Sequence, residues 1–478
     1  MNRTLFLILI SSLVFGNNSF AQDGMLDEDA LVNADEFLSL NEALKNPEKV
    51  YKLNLGDMQL DEFPMEILEL TNLQILDLWQ NNITIIPPEI QDLAHLQYLN
   101  LGSNKIKEVP KEIGNLVNLI MLDLESNELT SLPEEVGYLV FLQNLSLGGN
   151  KIKELPNSIG KLKNIRDISI WENQLVKLPE SIGKLKNLQS FDISENNLTG
   201  IPASLGKLYN LKILDMSSNQ LEKIPSEIGD LKALPYLDIS NNCLSSIPSS
   251  IGDARALQML YLQNQQNTKQ EQSLKKLPGA IGNLKNLRQI NLANTGLNSI
   301  PTEMGNLHDL QIMNLSKNQL TEIPSSLGRL KNLRELNLSE NKIKTIPSTL
   351  GKFPNLVQLQ LSYNQLTELP SSIGNLLKLQ EIDLSNNKIK ALPGSISELA
   401  SLQSINLSEN QITEFPIGLS HLKKLAQLNL KSNLIKTVPN DIAKMNALEY
   451  LNLRNNNISD DEIDRIKSLL PGDVKTRF

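Results

Sequence analysis

The chain repeats itself every 23 residues, and no other feature restricts its fold as much. LQILDLWQNNITIIPPEIQDLAH, from Leu73, aligns with LQYLNLGSNKIKEVPKEIGNLVN, from Leu96. The shared pattern is L-x-x-L-x-L-x-x-N-x-L-x-x-L-P-x-x-I-G-x-L-x-N. It starts at Val50 and makes 18 units, one of which, from Leu257, is 30 residues long. Asn fills the ninth place in 15 units and Pro the fifteenth in 17. Self-similarity at a fixed period marks a solenoid, where one unit buries its apolar stripe only against its neighbours. Aromatic residues at 4% agree, because such a core is built from Leu and Ile many times over.

Each place has a physical task. Places four and six point inward and places three, five and seven outward, the period of a short strand. The ninth-place amide carries an acceptor and two donors, so it can satisfy backbone groups where the chain turns away from the strand. The predicted ladder runs through Asn81, Asn104, Asn127, Asn150, Asn173, Asn196, Asn219 and Asn242. It resumes at Asn318, Asn341, Asn364, Asn387, Asn410, Asn433 and Asn456. Two successive breaks are expected, in the long unit and at Thr295. Pro at place fifteen suits the first turn of a short helix, and places eighteen and twenty-one then face the core.

This pattern resembles the leucine-rich repeat family, and its L-P-x-x-I-G-x-L half is similar to the Ras-suppressor and scribble subgroup. The resemblance covers residues 50–458. It implies an α/β solenoid, a horseshoe with a concave parallel β-sheet and short convex helices. It is nearly silent about function, because the fold hosts many partners and leaves the ligand to its sites; the expectation of a non-enzymatic scaffold rests on the catalytic motifs the chain lacks.

Outside the repeats the ends read differently. Residues 1–21 have a positive start, a dozen mostly apolar residues, and Ser19 and Ala21 at the small positions of a cleavage site, a secretory signal pattern. Residues 22–38 carry Asp23, Asp27, Glu28, Asp29, Asp35 and Glu36 without Lys or Arg, and are expected to be a flexible acidic leader. Residues 39–49 offer a capping helix ending near Pro47, and 459–478 a C-terminal cap with Ser459 as helix N-cap and a last strand from Val474. A polar insertion within 263–273 is expected to leave the solenoid as a loop.

Catalytic and cofactor motifs are missing. There is no G-x-x-x-x-G-K-[ST], no G-x-G-x-x-G and no kinase signature. One Cys excludes an internal disulfide framework, and three scattered His argue against zinc. Net charge −9 argues against a nucleic-acid partner. No second long apolar run remains after the signal, so no stable membrane span is expected. No cofactor or metal is expected.

The outward places of the strands carry the functional information. Place five is Asp or Asn in 14 of 18 units, which is the repeat's own habit. Departures from habit matter more. Trp79 and Trp171, the two tryptophans of the chain, both fall at place seven. Tyr98, Met121, Tyr236, Met259 and Tyr261 also project from this face, with Glu125 and a line of aspartates that includes Asp192, Asp215 and Asp238 in stacked positions. Aromatic and Met side chains are enriched at interface centres. The leading expectation is an exported protein, secreted or periplasmic, whose concave face binds a protein or peptide with basic and apolar groups. Two alternatives stand beside it: a binder of surface glycans or adhesion ligands, and a cytoplasmic signalling scaffold of the Ras-suppressor kind, against which the signal segment speaks.

Overall fold

A computed structural model describes residues 25–265 and 274–478. The signal segment, and all of the expected insertion but its first three residues, lie outside the described residues. The chain forms two compact units, Met1–Gln220 and Leu221–Phe478. Each is a run of the same building block, a three-residue strand followed by a one-turn helix.

In the first unit β1 (Glu36–Phe37), β2 (Lys52–Asn54), β3 (Ile75–Asp77), β4 (Tyr98–Asn100) and β5 (Met121–Asp123) lie in chain order. They continue through β6 (Asn144–Ser146), β7 (Asp167–Ser169), β8 (Ser190–Asp192) and β9 (Ile213–Asp215). Every neighbouring pair is parallel and in strict register, so that Ile75 faces Tyr98 and Tyr98 faces Met121. The second unit starts with β10 (Tyr236–Asp238), β11 (Met259–Tyr261) and β12 (Gln289–Asn291) and continues on the same plan to β19 (Tyr450–Asn452) and β20 (Lys475–Arg477). The repeat brings each place beside its own equivalent, also across the 30-residue unit, where Met259 faces Gln289, and this fixes the register.

The core is a stack of Leu and Ile rows. Leu76, Leu99, Leu122 and Leu145 line the inner side of the strands, and Ile90, Ile113, Val136 and Ile159 face them from the helical turns, all essentially without exposure. The convex helices are 3-10 turns of five residues, for example Glu180–Lys184. Proline stands one place before each turn, as its N-cap, with extended ψ (Pro179 φ −71°, ψ 147°). The fixed φ of the ring serves the entry rather than the first turn. The turns of neighbouring units touch backbone to backbone: a Cβ added to Gly183 would sit 2.4 Å from Ser204 O.

The ninth-place asparagines bridge consecutive repeats. Asn341 donates to Leu315 O of the preceding unit at 3.0 Å and to Leu338 O of its own at 3.0 Å, and accepts from Leu320 N at 3.0 Å. One expected break is absent. Gln265 occupies the ninth place of the long unit and makes the same three bonds, to Ile239 O at 2.8 Å, to Leu262 O at 3.0 Å and from Leu244 N at 3.0 Å. The longer side chain reaches the same groups, and the ladder changes chemistry only at Thr295, whose hydroxyl donates to Leu292 O at 3.0 Å. One place before the ladder residue the backbone is left-handed in unit after unit, even for Glu172 (φ 52°) and Tyr363 (φ 54°). The tight exit from the strand imposes this conformation whatever the side chain.

The ends also differ from expectation. The acidic leader is not a flexible tail over its described part. Asp27 caps the helix α1 (Glu28–Asn33), accepting from Ala30 N at 2.8 Å, and β1 then adds an edge strand to β2. The helix α2 (Leu40–Ala43) buries Ala43 completely, and Pro47 opens a further turn, Pro47–Lys49, instead of only ending the cap. At the other end Ser459 caps α3 (Asp460–Leu469) and β20 pairs with β19.

Candidate functional site

The outward side of each sheet carries three rows, at places three, five and seven. Row five has a structural task that the composition of the repeat concealed. Its carboxylate or amide oxygen accepts from the N–H two residues on: Trp79 N to Asp77 at 2.9 Å, Gly102 N to Asn100 at 3.0 Å, Ser194 N to Asp192 at 3.0 Å, and Ser316 N to Asn314 at 3.0 Å. This Asx turn closes the strand and starts the exit, so Asp and Asn serve equally. Where the residue is Asp, the charge comes with the turn. Burial pushes the Asp123 carboxyl up to about 6, opposed by the Glu125 N–H and reinforced by the Glu125 charge. Asp192 is raised by burial and by Asp215, which faces it on β9.

In the first unit row seven reads Trp79, Gly102, Glu125, Gly148, Trp171 between Gly56 and Ser194. The glycines make room for the rings. A Cβ on Gly102 would lie 3.3 Å from Trp79 Cδ1, and one on Gly148 only 2.3 Å from Trp171 Nε1. Both tryptophans are half-buried, and the buried Trp79 Nε1 has no hydrogen-bond partner. Four inter-strand spacings separate the rings, on the order of 20 Å, so they do not form one pocket.

Row three of the same unit differs from the expected open surface. Tyr98 and Met121 are each 2% exposed and form a cluster with Ile75 and with Leu31 from α1. Leu26, Tyr51 and Ile120 pack against it. Tyr98 and Met121 are therefore brought together, but they are covered. Ile75 and Leu31 are the members that sequence reasoning missed. Ile75 shares row three with Tyr98 and Met121, so its position was readable. In the leader, Asp27 ahead of Ala30, Leu31 and Val32 was a helix start hidden by the excess of acid. The leader is also tied at β2, where the Lys52 ammonium donates to Val32 O at 2.7 Å and Asn54 Nδ2 donates to Glu36 Oε1 at 3.2 Å. Burial lowers the Lys52 pKa, opposed by Glu36 and Asp35.

In the second unit the expected residues gather at β10 and β11. Tyr236 faces Met259, and the rings of Tyr236 and Tyr261 stand 5.6 Å apart at 48°. All three side chains are half-exposed. Burial and the Asp238 charge raise the Tyr261 pKa, so its hydroxyl stays protonated and can donate. Farther along, row five is mostly amides, Asn291, Asn314, Asn337 and Gln360, and Lys431 pairs with Glu409 at 3.5 Å. Among the described residues no three His, Cys, Asp or Glu side chains are placed to hold a metal ion, and no helix is long and apolar enough to cross a membrane.

Comparison with known proteins adds to this geometry. A family model described as a leucine-rich repeat region matches residues 111–172, 265–369 and 370–470, and a leucine rich repeat model matches 48–106, 163–221 and 210–266. Among solved structures, a Leptospira interrogans LRR protein is 36% identical over 93% of this chain and 100% of that one, with a TM-score of 0.63. The plant peptide hormone receptor RGFR1, solved in complex with RGF2, is 32% identical over 83% and 73% of the two chains, with a TM-score of 0.64. The Arabidopsis receptor kinase HAESA, solved with the peptide hormone IDA and the co-receptor SERK1, is 28% identical over 83% and 68%, with a TM-score of 0.64. No curated protein matches the chain.

Proposed function

The chain belongs to the leucine-rich repeat family, and we propose that it is an exported, non-enzymatic scaffold whose open sheet faces bind another protein or peptide. One observation carries this reading. The half-exposed Tyr236, Met259 and Tyr261 stand together on the outward side of β10 and β11, where the core does not need them. Tyrosine so placed offers large contact area at small entropic loss, and methionine adds an adaptable apolar surface, as interface centres do. In the first unit Trp171 offers a second anchor, set against Gly148. The two plant receptor structures support a polypeptide ligand for this fold, since each is solved with a peptide partner. Asp167, Asp192 and Asp215 beside Trp171 favour basic groups on that ligand, and steering by them weakens with salt.

The signal pattern of residues 1–21 supports a scaffold outside the cytoplasm, with Gln22 as the first residue of the mature chain. N-terminal sequencing of the native protein checks this. For the binding role, the mature chain is crosslinked in its native cells beside Tyr261→Ala and Trp171→Ala, with Lys184→Ala on the helical side as control. The control and the wild type are expected to capture the same protein, and the two ring variants to lose about tenfold or more in recovery, as hot-spot truncations do. Equal capture by all four chains removes the open face as the binding surface. Capture of carbohydrate instead of protein favours the glycan reading.

A further inference from the structure

Ile75, Tyr98 and Met121 face one another on β3, β4 and β5, in a row that continues with Asn144, Asp167 and Ser190. Three adjacent apolar residues in this row, which in this unit returns to an apolar side chain at the exposed Ile213 of β9, are not required by the core, which lies on the other side of the sheet. The chain's own leader packs on them. Leu31 is 5% exposed within their cluster, and Leu26 packs against it. The path of the segment is clear from its ties. From the edge strand β1 it runs back over β2, where Lys52 holds Val32 O, and Leu31 meets the residues of the next three strands. It lies across the strands as a separate peptide would.

Resting on the protein-binding reading above, we infer that residues 25–34 are a tethered, displaceable occupant of the Ile75–Tyr98–Met121 patch, which takes a partner segment presenting a leucine-like side chain. The hold is slight. The helix α1 has six residues, short of the length at which a helix stands alone, and its Val32 is 56% exposed. Gln74, next to Ile75, is fully buried with neither amide atom bonded to the protein, a local cost that the covered state carries. Tethering compensates, because a linked segment competes at high effective concentration. A free partner with the same anchor therefore displaces the leader only when it also gains contacts elsewhere on the face.

The test uses the full mature chain from Gln22 and a fluorescein-labelled peptide of residues 22–38, read by anisotropy. The peptide is expected to bind Leu31→Asp at least tenfold tighter than wild type, because the variant's own leader no longer fills the patch. Adding Met121→Lys to Leu31→Asp is expected to abolish this gain. Equal affinity for wild type and Leu31→Asp, or no binding to Leu31→Asp, overturns the inference. So does loss of the folded circular dichroism spectrum in Leu31→Asp, which makes the leader a structural cap. None of these outcomes touches the capture experiment with Tyr261→Ala and Trp171→Ala, so the two readings fail separately.

Discussion

Trp171 lies on Gly148: a methyl group added to that glycine would come within 2.3 Å of the indole Nε1. The ring uses bare backbone of the preceding repeat as its floor, so its orientation is set by the absence of a side chain one unit away. Gly148→Ala is expected to lift the ring toward solvent. Tryptophan emission shifts to the red, while unfolding free energy changes by less than about 1 kcal/mol, because a surface ring can move aside. An unshifted spectrum would show that the ring does not depend on this floor.

Gly183 gives the opposite outcome from the same substitution. Its neighbour is the backbone oxygen of Ser204, 2.4 Å from the added Cβ, and neither turn can yield without parting the stack. Gly183→Ala is expected to cost about 2 kcal/mol or more in urea unfolding, within the usual range for overpacking. Gly200, with nothing within 4 Å, is the control, and Gly200→Ala is expected to be neutral or slightly stabilising.

The ladder predicts equal roles for two different amides. Asn341→Ala and Gln265→Ala each leave two buried carbonyls and one buried N–H without their side-chain partner. Each is expected to cost about 1–3 kcal/mol. A Gln265→Ala variant as stable as wild type would mean that the long unit does not share the ladder.

Stability should depend on pH through row five. The Asp192 carboxyl titrates above its ordinary value because of burial, with Asp215 adding to it and the Ser194 hydrogen bonds opposing. An acid raised on folding binds more protons folded than unfolded between its two pKa values, so the fold gains stability as pH falls through that window. Asp192→Asn keeps the acceptor for Ser194 N and removes the charge. It is expected to be more stable than wild type at pH 7, with the advantage shrinking as pH falls toward the ordinary aspartate value of about 3.9. Urea titrations of both chains across this range check it, and an advantage that grows on acidification contradicts the assignment.

How much of the molecule was legible follows from how often each relationship occurs. The core rows, the strands, the register and the bridging asparagines recur at an offset of 23 residues, so the sequence states each of them many times. Parallel pairing in strict register then follows from equivalent places meeting one another, and Leu76, Leu99 and Leu122 stack from the sequence pattern alone. The Asx turns of row five were also written in the repeat, as Asp and Asn, but their role was not readable, because a solvated carboxylate and a turn-forming one look alike in sequence.

The covering of row three is of another kind. Leu31 meets Ile75, Tyr98 and Met121 across separations of 44, 67 and 90 residues, each occurring once and none a multiple of the period. No periodicity can announce a contact that happens a single time. Repetition of one unit is enough to specify a leucine-rich solenoid, its ladder and the rows that face outward. Which of those outward residues stay open is a matter of long-range packing, because it depends on where a non-repeating segment finds apolar surface, and the balance of burial against chain entropy is struck over the whole unit rather than within any repeat.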